Sequence, residues 1–238
     1  MRKLEICCGS VEDVITASQY EIDSIELNTA LPLGGLTPSI ATLILSKEIT
    51  DVPLYCMVRN NPGGFIYNEN EFKTMLKDAQ LLLENGADGI VFGCLSDDLQ
   101  IETNQTNQLI QLAKKFNKQA IFHRAIDLTP NYQEAYQLLI DLGIDRVLTS
   151  GGKPTAVEGI DNLRKLNKIN PDKFLVGSGV TLENVHYFDE FNYLHATCKE
   201  LRTRINGNDE VTFDFIEKNK EYHPSRICIE TMVAKVKK

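Results

Sequence analysis

Seven polar or thiol-bearing residues stand where strand alternation would turn them away from an apolar face. In 3–7, Leu4 and Ile6 share one face and leave Glu5 and Cys7 on the other; in 24–28, Ile25 and Leu27 leave Glu26 and Asn28. Arg59 ends a run in which Leu54, Cys56 and Val58 alternate with Tyr55 and Met57, while His123 follows Phe122 and His195 follows Leu194. Such a set offers acid–base chemistry. Glu26 or His123 would move a proton, Arg59 would stabilise developing negative charge, and Glu5 and His195 would support them. It also offers metal ligation through the Cys7 thiolate with His123 and His195 as imidazole ligands. Cys8 adjoins Cys7 but points to the opposite face, so the two do not chelate one ion. A plainer expectation is that Glu5 and Glu26 pair with Arg59 and Arg124 in an internal ion network that only shapes the fold, because a buried charge left unpaired costs several kcal/mol.

Two glycine turns add a different capacity. Ser150-Gly151-Gly152 and Gly177-Ser178-Gly179 each present successive backbone N–H groups that could cradle an anion, and a helix starting near Thr181 would add its dipole to the second. Glycine also permits a tight turn with no ligand at all.

The elements that must position these residues follow a regular rhythm. Short β-rich runs at 3–7, 24–28, 53–59, 89–93, 119–124, 146–150, 174–177 and 193–196 alternate with segments of helical spacing, at close to the ~30-residue interval of a βα unit. Ser10, Asn70, Thr129-Pro130 and Thr181 read as helix entries, and Asn85-Gly86 and Leu142-Gly143 as helix ends. Eight such units in 238 residues predict an α/β fold, a (β/α)₈ TIM barrel in a single domain over 1–238, close to the ~250 residues usual for that fold. An open doubly wound sheet is disfavoured, since Cys7-Cys8-Gly9-Ser10 is no dinucleotide fingerprint. The stretch 202–238 departs from the rhythm, with Thr212-Phe213-Asp214-Phe215 and a polar run at 218–224, and is expected to be the last helix with its approach loop and a C-terminal tail.

Composition narrows the partners. A formal charge of −8 without a basic patch disfavours nucleic acid, and no run approaches the ~20 apolar residues of a membrane span. The N-terminal apolar run is far shorter than that of an export signal, so the six cysteines are expected to be reduced thiols in the cytoplasm, with Cys56, Cys94, Cys198 and Cys228 as packing residues.

Several long motifs resemble the CutC family of copper homeostasis proteins. They are Glu5-Ile6-Cys7 with Ser10-Val11-Glu12, then Asp23-Ser24-Ile25-Glu26-Leu27 and Gly34-Gly35-Leu36-Thr37-Pro38-Ser39. Gly86-Ala87-Asp88-Gly89-Ile90-Val91-Phe92-Gly93, Phe122-His123-Arg124-Ala125-Ile126-Asp127, Asp145-Arg146-Val147-Leu148-Thr149-Ser150-Gly151-Gly152 and Gly177-Ser178-Gly179-Val180 continue the match in order to about residue 197. The resemblance implies a cytoplasmic (β/α)₈ barrel, a homo-oligomer (dimer or tetramer), and copper binding and trafficking with Cu(I) as the ion; it implies no settled reaction. Two departures stand out. Some family members carry a second Cys where this chain has Asn28, and the family's Arg-Pro-Arg-Gly-Gly is replaced here by Arg59-Asn60-Asn61-Pro62-Gly63-Gly64, without the second arginine. The alternative is an enzyme acting on a small anionic or phosphorylated metabolite at the barrel mouth, with Glu26, Arg59 and His123 as its catalytic residues.

Overall fold

The computed structural model describes residues 2–203 and 220–238. Eight parallel strands close into a barrel: β1 (Lys3–Cys8), β2 (Ser24–Leu27), β3 (Leu54–Met57), β4 (Gly89–Phe92), β5 (Gln119–Phe122), β6 (Arg146–Thr149), β7 (Phe174–Val176) and β8 (Tyr193–Ala196). Each strand pairs with the next in sequence, and β8 returns to pair with β1. The outward residues of each strand, among them Leu4, Ile6, Cys8, Ile25 and Leu27, join one apolar layer beneath the helices. A second, smaller apolar group of Tyr55, Met57, Val91 and Ile121 lines the inside. The interior is thus part hydrocarbon and part charge.

Among the described residues seven α-helices surround the barrel: α1 (Val11–Ala17), α2 (Ile40–Ile49), α3 (Glu69–Glu84), α4 (Thr103–Lys115), α5 (Tyr132–Leu142), α6 (Ile160–Ile169) and α7 (Arg226–Val236). Ser10 caps α1 by accepting from the Asp13 N–H, as its position in the sequence predicts. For α3 the entry lies earlier than expected. Asn68, not Asn70, is the cap, and it forms a reciprocal capping box with Glu71.

Two larger expectations are corrected. No α-helix starts near Thr181; the connection from β7 to β8 holds only a 3₁₀ turn, Val185–Phe188, preceded by Asn184, which accepts from Thr181 N–H and donates to the Gly179 carbonyl. The stretch 202–238 is also more than a loop and a helix: β9 (Lys199–Thr203) pairs antiparallel with β10 (Lys220–Pro224) before α7 begins. Thr212 to Phe215 lies outside the described residues. The hairpin docks on α1 through a buried contact, His223 Nδ1 to Asp13 Oδ1 at 3.0 Å.

Candidate functional site

Strand register builds the centre of the site. β1 and β2 are aligned so that Cys7 lies beside Glu26, and β1 and β8 so that Glu5 lies beside His195. All four side chains face the axis and all are buried. His195 Nδ1 donates to Glu5 Oε1 at 3.0 Å, and its Nε2 lies 3.9 Å from Glu26 Oε2. The same Glu26 oxygen accepts from Asn28 Nδ2 at 2.9 Å and from the Cys7 thiol at 3.5 Å. Glu5 is held from the other side by Ser24 Oγ at 2.7 Å and by Arg146 Nη1 at 4.0 Å.

Burial and charge fix the protonation of this group. Burial alone would push the His195 pKa down, but the carboxylates of Glu26 and Glu5 outweigh it and raise the value. Burial would likewise push Glu5 up; its hydrogen bond to His195 and the charges of His195 and Arg146 hold it below the usual range instead. Burial and the adjoining Glu26 charge drive Cys7 well above an ordinary thiol. The carboxylates thus favour the protonated form of the His195 imidazole, and Cys7 stays a neutral thiol at the edge of the group.

The expected partnership of Glu5 and Glu26 with Arg59 and Arg124 is not formed. Arg146, whose guanidinium stacks 4.7 Å over the Tyr55 ring, takes the cationic place at Glu5. Arg59 has already left the ladder: its Nη1 donates to the carbonyls of Leu33 and Gly35 at 2.9 and 3.1 Å, and its guanidinium lies 5.0 Å over Phe65. Arg124 pairs with Asp127 at 2.9 Å. Strand six carried the missed signal, an arginine opening an apolar run and placed on the same alternating face as Leu148.

His123 is buried but stands outside the Cys7, Glu26 and His195 group. Its Nδ1 accepts from the Ala125 N–H at 3.1 Å, which leaves the ring proton on Nε2, a buried donor with no partner among the described residues. Burial, then the charges of Arg59 and Arg124, lower its pKa to about 3, so it stays neutral. Gly93 makes room for this ring: a Cβ there would lie 2.4 Å from His123 Cε1.

The two glycine turns differ. The first already holds an anion of the chain itself: Asp127 accepts from Ser150 N–H at 3.0 Å, Gly152 N–H at 2.9 Å and Thr149 Oγ1 at 2.6 Å, and Gly151 N–H donates to Thr149 Oγ1. In the second, Gly177 N–H donates to the Thr149 carbonyl and Ser178 Oγ to the Pro154 carbonyl. Ser178 and Gly179 both adopt positive φ, +82° and +71°, and among the described residues their N–H groups meet no acceptor. This is the turn left open to an external ligand.

Cys7, Glu26 and His195 form the one group of metal-ligand type among the described residues, with their ligand atoms all within 4.8 Å of one another. The donor set suits a soft or borderline ion: a thiol and an imidazole, with a carboxylate as third neighbour. Glu5 holds the far nitrogen of the imidazole, the orienting role a carboxylate plays behind a ligating histidine.

The family model described as CutC family matches residues 2–200. Family protein CutC of Treponema denticola is 47% identical over 184 residues, 76% of this chain and 74% of its own length. A copper homeostasis protein cutC homolog of Caenorhabditis elegans is 37% identical over 196 residues, covering 81% of this chain and 78% of its own. The solved CutC structure from Streptococcus agalactiae superposes with a TM-score of 0.77 at 27% identity over 83% of this chain and 99% of that one.

Proposed function

The chain belongs to the CutC family, and from that premise we propose that it binds copper as cargo, taking Cu(I) between Cys7 and His195 with Glu26 as the neighbouring carboxylate. The observation that carries this reading is the convergence of those three ligand atoms within 4.8 Å inside a closed barrel. Uptake must displace protons, because Cys7 rests as a thiol and the neighbouring carboxylates favour a protonated His195. Glu26 Oε2, already accepting from the Cys7 thiol, is placed to receive the sulfur's proton. The six unbridged cysteines support a reducing, cytoplasmic setting, and the homo-oligomer implied by the family belongs to the same reading.

An anaerobic Cu(I) titration against a competing chelator tests it. The expected result is stoichiometric binding in this site that Cys7→Ser abolishes, with affinity rising about tenfold per pH unit for each proton displaced. Binding at this site that is indifferent to Cys7 would overturn the assignment.

A second reading, a site for a small anionic or phosphorylated metabolite, has its own support. Arg59 is buried with no carboxylate in ion-pair reach among the described residues, His123 Nε2–H is an unmet donor, and the Ser178 and Gly179 N–H groups are open. Phosphate or a small carboxylic acid should then protect the protein thermally, and Arg59→Met should remove that protection; equal protection in the variant would count against it.

A further inference from the structure

We propose that the cleft between α3 and the segment leading into α2 binds a small organic ammonium, its cationic head paired with the Asp78 carboxylate and its apolar body against the cleft walls. This cleft shares no residue with the Cys7, Glu26 and His195 group, and its assignment rests on neither reading of the barrel interior.

Helical spacing builds one wall. Thr74, Asp78 and Leu82 follow one another every fourth residue along α3 and so share one face, which lines the cleft. The segment 36–40 forms another wall, where Leu36, Pro38 and Ile40 supply apolar surface. It contains most of the Gly34-to-Ser39 motif, which the barrel site leaves unused. The cleft measures about 440 Å³, within the range of small-molecule sites, whose walls are mostly apolar and whose few polar groups fix orientation.

Asp78 is half-buried and makes no hydrogen bond or ion pair with any described residue. Burial alone acts on its carboxyl and raises its pKa. The polar groups that share the cleft are already committed elsewhere. Thr74 Oγ1 donates to the Asn70 carbonyl at 2.9 Å, Thr37 Oγ1 to the Arg59 carbonyl at 3.0 Å, and Asn60 Nδ2 to the Glu71 carbonyl at 2.9 Å. Ser39 Oγ is bonded to Thr42 Oγ1 at 2.8 Å and accepts from Thr42 N–H at 3.1 Å. Arg59 also lines the cleft, yet its Nη1 is held by the carbonyls of Leu33 and Gly35, and no cation acts on Asp78. A carboxylate drawn from water without a partner costs free energy, and a cationic ligand offsets that cost by stabilising the charged form. An anion would be repelled here, and a neutral alcohol would forgo the charge-assisted hydrogen bond. The complementary head group is therefore an ammonium, and the walls call for an aliphatic body.

The test is an amide NMR titration of the full chain with butylammonium chloride at constant ionic strength, with butanol and sodium butyrate as controls. Two variants accompany the native protein. Asp78→Asn keeps the shape and removes the charge, whereas Thr74→Trp keeps the charge and fills the cleft from an exposed helix position. Thermal midpoints without amine report the folding of each variant separately, and Asp78→Asn is expected to melt no lower than the native chain, since it loses only an unpartnered charge. Saturable shifts confined to 36–40 and 74–82 are expected in the native chain, with affinity at least about tenfold weaker in both variants. Binding that persists unchanged in Asp78→Asn, or that butanol or butyrate reproduces, would overturn the site. So would a native chain that shows no saturable response to the amine, whatever the variants do.

Discussion

Asn28 ties together the Cys7 and Glu26 corner of the barrel. Its amide reaches the Cys7 sulfur at 3.4 Å and Glu26 Oε2 at 2.9 Å, and its buried Oδ1 has no partner among the described residues. Asn28→Cys puts a second sulfur within reach of the first and removes that orphaned acceptor. Cu(I) affinity at the barrel site is expected to rise at least about tenfold, since two thiolates suit the ion better than one; a chelator competition that shows no gain would place Cys7 outside the ligand set. Gly93→Ala addresses the neighbouring wall. The added methyl collides with the His123 ring and should cost about 1–3 kcal/mol in urea denaturation, with the Ala125 N–H losing its acceptor. Alternation made Glu5, Cys7, Glu26 and His195 legible as inward residues, because a period of two is a local property of the chain. It could not show which cation meets Glu5. Arg146 lies 141 positions from Glu5 in sequence and 4.0 Å away in space, a proximity that only barrel closure creates.

Among the elements, all eight strands were legible and most end earlier than the apolar runs that announce them. Arg59, His123 and Ser150 lie just past their ladders, where the backbone turns into loops and the side chains gain freedom to reach carbonyls, amides and Asp127. The hairpin was not legible, since β9 and β10 are separated by a long stretch and lack a two-residue turn signal. Its attachment makes a prediction. Asp13 accepts from Gly9 N–H at 2.8 Å and meets His223 at 3.0 Å, so Asp13→Ala removes both the β1–α1 turn lock and the hairpin anchor. A loss of roughly 2 kcal/mol is expected, with amide exchange accelerated in 199–203 and 220–224 more than in the barrel strands. Uniform acceleration throughout the chain would argue that the hairpin is held by other contacts.

The molecule as a whole should show a stability maximum near pH 6.5, set by two histidines shifted in opposite directions. His195 has a raised folded pKa, so its contribution is complete below about 6.5, the unfolded value, and is lost as pH rises through the folded one. His123 titrates near 3 when folded, so the unfolded chain gains a proton the native chain refuses, and stability falls by about 1.4 kcal/mol per pH unit from about 6.5 downward. Glu5, lowered, adds to the acid loss below about 4.3. Urea titrations across pH should show His123→Asn flattening the acid side and His195→Asn flattening the alkaline side; a profile unchanged by either would refute the assignment. The closure of β8 onto β1 has a further consequence, for the timing of synthesis. Glu5 and His195 are 190 residues apart, and at the ~5–20 residues per second of translation the first leaves the ribosome about ten to forty seconds before the second. During that interval the nascent chain exposes Cys7 and Glu26 with no imidazole opposite them. On the proposed copper reading, the three-ligand set is complete only when the eighth strand arrives, so a growing polypeptide is expected to be a poor scavenger of the ion.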